Sequence, residues 1–401
     1  MGRIRTAAVL ALVLVAVAAG CGEGDSGGAS GPIKIGISLP LTGEFSEPGR
    51  AAKRGYETWE KITNDSGGVL GRKVELVIRD DASKQNTVVS DYNALISRER
   101  VDLLLGTFSS LLNLPASAVA ERNRMVFVEP AGGAPELFER KFKYLFFSQQ
   151  AVSDHQGDLF VEHLLSLPPD ERPKTAAYPC VNDPFALPVL ASIRERLEAA
   201  GVETVYKSTY PVDTTNFDSI ANAVKAAEPD LVVNGAVFTD GVGFVRALNK
   251  VAYEPAFLFQ TSAPSHGEQY ADGVGVENTE GTFYAVSHTP EASTPGNKKF
   301  VDTYGEMFGG EPAEDAADAY ASAQVLQTAV EEVGSLENQE KLANWLHAHQ
   351  VQTILGPLRW DDLGRPQGEF MIGQWQDGKA EVILPEEVAT TDRVVERVST
   401  P

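Results

Sequence analysis

Val101-Asp102-Leu103-Leu104-Leu105-Gly106-Thr107-Phe108-Ser109-Ser110 reads as a strand that stops at a glycine, with two hydroxyls waiting ahead of a helix over 113–123. The same alternation runs outward in both directions. Upstream, Ile33 to Leu39 alternates and turns at Pro40, a strand with one apolar edge. Thr42 to Gly49 is a loop of turn formers. From Arg50 to Asn64, Ala51, Ala52, Tyr56, Trp59 and Ile62 recur at helical spacing, and Gly67-Gly68 ends the helix. A strand over Val74–Ile78, a helix over Lys84–Arg98 and, downstream, a strand over Met125–Val128 continue the order. Each strand is followed by a helix, so the sheet is predicted to be parallel and doubly wound, an α/β lobe.

The pattern restarts after Gln150. Strands at 175–178, 204–209, 231–234 and 256–259 alternate with helices at 154–165, 187–200, 217–227 and 243–251, giving a second α/β lobe. The last hundred residues hold helices at 298–307, 316–333 and 337–347. An antiparallel-looking run follows, Leu358 to Trp360, a turn at Asp361–Gly364, then Phe370 to Trp375. These pieces are too small for a third domain and must complete the two lobes, so the chain crosses between them more than once. The predicted organisation is 33–150 for lobe one, completed by 286–352, 151–285 for lobe two, completed by 353–385, and a C-terminal tail over 386–401.

The amino terminus carries Arg3 and Arg5, then an apolar run of Ala, Val and Leu up to Ala18 that is too short to span a bilayer, then Gly20-Cys21. Residues 1–20 read as a signal peptide. Ala18-Ala19-Gly20-Cys21 resembles the lipobox of bacterial lipoproteins, with Ala18 where leucine is more usual, which implies lipidation at Cys21. Residues 21–32, small, polar and acidic, read as a flexible tether. Two or more acyl chains would anchor the protein stably.

Without Arg3 and Arg5 the mature chain has 32 basic against 56 acidic residues, a net charge of −24. Such a surface repels nucleic acid and anionic lipid headgroups, so nucleic-acid binding is excluded and membrane association is left to the lipid. The only other cysteine, Cys180, reads as a small buried apolar residue without a disulfide partner.

Six segments in one order resemble the type I periplasmic binding proteins of the leucine/isoleucine/valine-binding family. They are Leu41-Thr42-Gly43, Gly67 to Val74, Asp80-Asp81, Leu105 to Ser110, Glu129 to Leu137, and Thr353 to Asp361. The resemblance runs from Ile33 to Gly378. It implies a Venus-flytrap of two lobes joined by three crossing strands, a monomer that binds a small molecule between them and docks on the permease subunits of an ABC importer at the outer face of the cytoplasmic membrane. It implies no cofactor.

In such a fold the ligand meets the carboxyl ends of the strands and the helix N-termini beyond them. Ser109 and Ser110 suit a carboxylate, since free N–H groups and hydroxyls converge there, and the family uses a serine here. Ala131, Gly132 and Gly133 let backbone approach a ligand; the family commonly has a threonine at the position of Gly133, so one hydroxyl is missing. Phe45 and Glu47 join the site from the loop after the first strand. From the second lobe come Asp183, Phe185, Phe238, Thr261 and Ser262. Phe185 and Phe238 stand where the family often carries tyrosines that pack on the ligand.

An α-amino acid needs a carboxylate against its ammonium. The family generally supplies one around Ser262, and this sequence has only Thr261 and Ser262 there. Glu47, Glu129, Asp183 or Asp240 can replace it; if none does, the expected ligand is an amine-free carboxylate or an amide. A binding module of a sensory system fits the same sequence. An enzyme does not: no H-E-x-x-H is present, the one G-x-S-x-G, Gly24 to Gly28, lies in the small polar tether rather than at a strand-to-helix turn, and Gly373 to Lys379 spells G-x-x-x-x-G-K but continues into Ala380 where a phosphate loop has serine or threonine. No metal site is expected either, since His347 and His349 point apart on a helix.

Overall fold

The structure, a computed structural model, describes residues 31–397. The predicted signal peptide, Cys21 and most of the tether lie outside the described residues.

Five strands build the first sheet: β1 (Ile33–Leu39), β2 (Val74–Asp80), β3 (Leu103–Leu105), β4 (Phe127–Glu129) and β5 (Leu145–Phe147), in spatial order β2-β1-β3-β4-β5 and all parallel. Side chains on successive strand residues point to opposite faces, and β3 uses both. Leu103 and Leu105 join Tyr56, Trp59 and Leu326 in one core, while Leu104 joins Tyr92, Leu112 and Val119 in the other. Helices α1 (Ser46–Asp65), α2 (Gln85–Ala94), α3 (Ser110–Arg122) and the short α4 (Pro135–Glu139) connect these strands.

The second sheet has seven strands. Helices α5 (Asp158–Ser166), α6 (Ala186–Ala199), α7 (Asp218–Ala227), α8 (Thr239–Lys250) and α9 (Glu268–Val274) alternate with β6 (Thr175–Val181), β7 (Glu203–Tyr210), β8 (Leu231–Asn234), β9 (Phe257–Gln260) and β10 (Thr282–Val286). Those five strands are parallel. The chain then returns to the first lobe as α10 (Asn297–Phe308), α11 (Glu314–Val333), α12 (Gln339–Ala348) and the hairpin β11 (Val351–Thr353) and β12 (Gly356–Leu358), whose apolar residues share a core with β1 and α1. It crosses back to add β13 (Met371–Gln376) and β14 (Lys379–Leu384), giving the order β14-β13-β10-β9-β8-β6-β7.

Two strands, β5 and β10, are not among those expected from the sequence; like β3 and β4 they are buried on every residue, so no alternation marks them. The pairing expected between 358–360 and 370–375 does not form as a ladder. Instead β12 pairs with β11, and β13 runs antiparallel to β10 and β14. Among the described residues no helix is long and apolar enough to cross a membrane.

Candidate functional site

Three crossing segments meet between the lobes, and side-chain amides tie them together. Gln150 donates Nε2–H to the carbonyl of Ser287 (2.7 Å), while its backbone carbonyl accepts from the Gly368 N–H (2.8 Å). Gln149 donates to the Pro130 carbonyl (3.0 Å) and to the Asp318 carboxyl (2.5 Å), and Ser287 Oγ–H donates to Asp318 at 2.6 Å. Beside this knot opens a cavity lined by residues of both lobes.

On the first-lobe side the wall is made by Phe108, Ser109, Ala131 and Gly133. Ser109 is the residue before α3, and its hydroxyl is buried with no partner in the protein. A group at the start of a helix that spends no hydrogen bond on capping, beside backbone N–H groups carrying partial positive charge, is suited to an anion such as a carboxylate. Ser110 does not line the cavity. Its Oγ accepts the backbone N–H of Ala134 (3.1 Å) and thereby fixes the loop that carries Gly133.

Glu129 fixes the same loop from behind. Its Oε2 accepts from the Ala131 N–H and Asn113 Nδ2–H, both at 3.0 Å, and from the Gly132 N–H. Burial raises its pKa to about 8, against the opposing pull of those N–H groups. Its burial favours the protonated form, and it lies outside the cavity wall. Gly132 lies outside the wall as well, since a Cβ there would come within 2.6 Å of the Glu129 carboxyl oxygens.

On the second-lobe side stand Asp183, Phe185, Val237, Thr261 and Ser262. Asp183 is 1% exposed; its Oδ1 accepts the backbone N–H of Phe185 at 2.8 Å, and its Oδ2 has no partner. Burial raises its pKa to about 6, so it remains mostly ionised at neutral pH. Thr261 spends its hydroxyl on the backbone of Ala236, accepting from the N–H at 2.9 Å and donating to the carbonyl.

The other candidate acids are occupied elsewhere. Asp240 accepts from Tyr210 Oη–H and from the Val237 N–H, both 2.9 Å. Glu47 pairs with Arg50 on the outer surface of α1 (3.8 Å). Phe45 does not reach the cavity but supports it, meeting Phe108 edge-on with ring centroids 5.9 Å apart. Phe238 packs tilted against His266, ring centroids 4.6 Å apart, and does not line the cavity.

Four polar wall residues, Gln149, Gln156, Glu314 and Asp315, have no counterpart among the sequence candidates. Glu314 and Asp315 open α11, where acids favour the helix dipole, so their sequence signal was that of a helix start. Burial raises the pKa of Glu314, and hydrogen bonds from Ser265 and Ser287 offset this only in part. Among the described residues no group of three or more histidine, cysteine, aspartate and glutamate side chains is arranged to hold a metal ion.

The sequence profile of the periplasmic binding proteins matches residues 32–380. The chain belongs to the periplasmic binding protein family. A Leu/Ile/Val-binding protein homolog of Brucella suis biovar 1 is 27% identical over 378 residues, covering 91% of this chain and 94% of its own length. A leucine binding protein from Thermotoga maritima superposes with a TM-score of 0.78 at 21% identity, over 87% of this chain and 97% of that one. A solute binding protein of an R. palustris ABC transporter, solved in complex with benzoate, gives 0.77 at 18%, over 91% and 99%.

Proposed function

We propose that this periplasmic binding protein is the receptor of an ABC importer and holds an amino acid between its lobes by the carboxylate and the ammonium. The observation that supports this most is one cavity bearing, from opposite lobes, Ser109 Oγ ahead of a helix and Asp183 Oδ2, both buried and both without a partner. The first offers a donor to a carboxylate, the second an acceptor to an ammonium. An ionised carboxylate buried without a cation is costly, so Asp183 favours an amine-bearing ligand over benzoate-like acids. Ala131, Gly133, Phe108 and Phe185 leave an apolar berth for a side chain.

Export by the signal peptide and lipidation at Cys21 would hold this receptor at the outer face of the cytoplasmic membrane, within reach of a permease. A thermal-shift screen of amino acids, amine-free carboxylates and small amides tests the ligand class, because a compound that binds only the folded state raises the melting temperature. Shifts with amino acids alone are expected. Shifts confined to amine-free acids or amides would refute the reading.

A further inference from the structure

Asp183 is not the only carboxylate at the cavity. Asp315 lines it too, and a second buried anion would change which ligands fit. Asp315, however, faces a cation. His266, from the short turn after β9 in the second lobe, brings Nε2 to 2.9 Å from Asp315 Oδ2 at the start of α11 in the first. The contact lies off the hydrogen-bond axis, so it is an ion pair rather than an aligned hydrogen bond. The imidazole is 2% exposed, its Nδ1 lies 3.2 Å from the Ser262 carbonyl, and its face is covered by Phe238.

Burial works against a charged ring, but Asp315, Glu314 and the Ser262 carbonyl together raise the His266 pKa above its ordinary value. The third wall acid, Glu314, already receives Ser265 and Ser287, and burial holds it toward its neutral form. Among the described residues no lysine, arginine or histidine lines the cavity itself. The charge that a ligand meets is therefore decided by one histidine behind the wall.

We propose that His266 sets the charge selectivity of the site: by pairing with Asp315 across the cleft it leaves Asp183 as the single carboxylate open to a ligand, so amino acids with one ammonium are accepted over those with a second, basic side-chain group. This rests on the amino-acid reading above. Removing the imidazolium and keeping Asp315 creates a second open carboxylate, which a second ammonium would neutralise. Removing both restores the original count.

The test is a titration calorimetry comparison of leucine and lysine at pH 6.5 on the full chain and on His266→Gln, Asp315→Asn and the double variant. The lysine-to-leucine affinity ratio is expected to rise on the order of tenfold in His266→Gln, to fall in Asp315→Asn, where the imidazolium is left unpaired, and to return to the wild-type ratio in the double variant. A merely structural histidine would weaken both ligands alike and would not be rescued by removing its partner. An unchanged ratio in His266→Gln, or a double variant that keeps the raised ratio, overturns the inference while leaving the amino-acid reading standing. A wild-type protein and variants that bind neither amino acid overturn that reading and this inference with it. If His266→Gln fails to fold, a preference for lysine in the double variant still overturns the assignment.

Discussion

The carboxyl of Asp183 is almost wholly removed from water, and burial raises its pKa to about 6. An aspartate in an unfolded chain ionises near pH 3.9. Between those values the unfolded chain gives up its proton first, so the folded state is penalised increasingly as pH rises from 4 to 6 and by a constant amount above. Asp183→Asn is accordingly predicted to stabilise the ligand-free protein by about 3 kcal/mol at pH 7.5 and to leave it unchanged at pH 3.5, a difference that melting curves at the two pH values will show. Ligand binding moves the other way, since leucine affinity is expected to fall as pH drops through 6 and Asp183 takes up a proton. At Ser109 the hydroxyl has no partner to lose. Ser109→Ala should weaken leucine by about 10- to 100-fold, the range for a hydrogen bond to a charged group, with the melting temperature of the free protein unmoved. Both residues are legible in the sequence because each follows a strand, where ligands gather in α/β folds. Glu314, Asp315 and His266 are not, because what brings them to the cleft is the return of α11 from far along the chain.

Helix α1 packs on α11 through a close approach that one glycine permits. A Cβ on Gly55 would lie 2.0 Å from the Ala316 carbonyl oxygen, whereas a Cβ on Gly305, inside α10, meets nothing nearer than 3.6 Å. Gly55→Ala must therefore push two helices apart and is predicted to destabilise by about 1–3 kcal/mol or more. Gly305→Ala should be neutral or stabilising by up to about 1 kcal/mol, since alanine outranks glycine in a helix interior. Opposite shifts in melting temperature would show the contrast, and equal shifts would contradict the helix contact. Helices and strands with clear periodicity are readable from sequence, as α1 and β1 are. Wholly buried strands lack the solvent-facing residues that create alternation, so β3 is readable only as an apolar run that stops at Gly106, whereas β5 and β10, with no glycine directly after them, are not. The antiparallel run near the end was recognisable as β structure, but its partners were not: β13 pairs with a strand 85 residues away.

At the scale of the molecule, two lobes closing on a cavity require a hinge that can flex without coming apart. The crossing segments carry that role, and Gln150 links all three, through the Ser287 carbonyl, the Gly368 backbone and the Leu355 carbonyl at 3.4 Å. Gln150→Ala removes only the side-chain bonds, so it is predicted to leave the fold intact and to weaken ligand binding by loosening the closed state, with a larger radius of gyration in the presence of saturating leucine than the wild type has. A ligand shifts such an equilibrium only by binding the closed form better than the open one. On the proposed reading that differential affinity comes from Ser109 and Asp183, which line one cavity from different lobes. Two lobes and repeated crossings follow from the order of strands and helices alone, whereas the residues that knot the crossings are set by tertiary contact. The most direct test of the central claim is calorimetry of leucine against its amine-free analogue 4-methylpentanoate, on the wild type and on Asp183→Asn. The account predicts that leucine binds, that 4-methylpentanoate does not, and that Asp183→Asn costs leucine about 2–5 kcal/mol; equal affinity for the two ligands, or an Asp183→Asn protein that binds leucine undiminished, would contradict it.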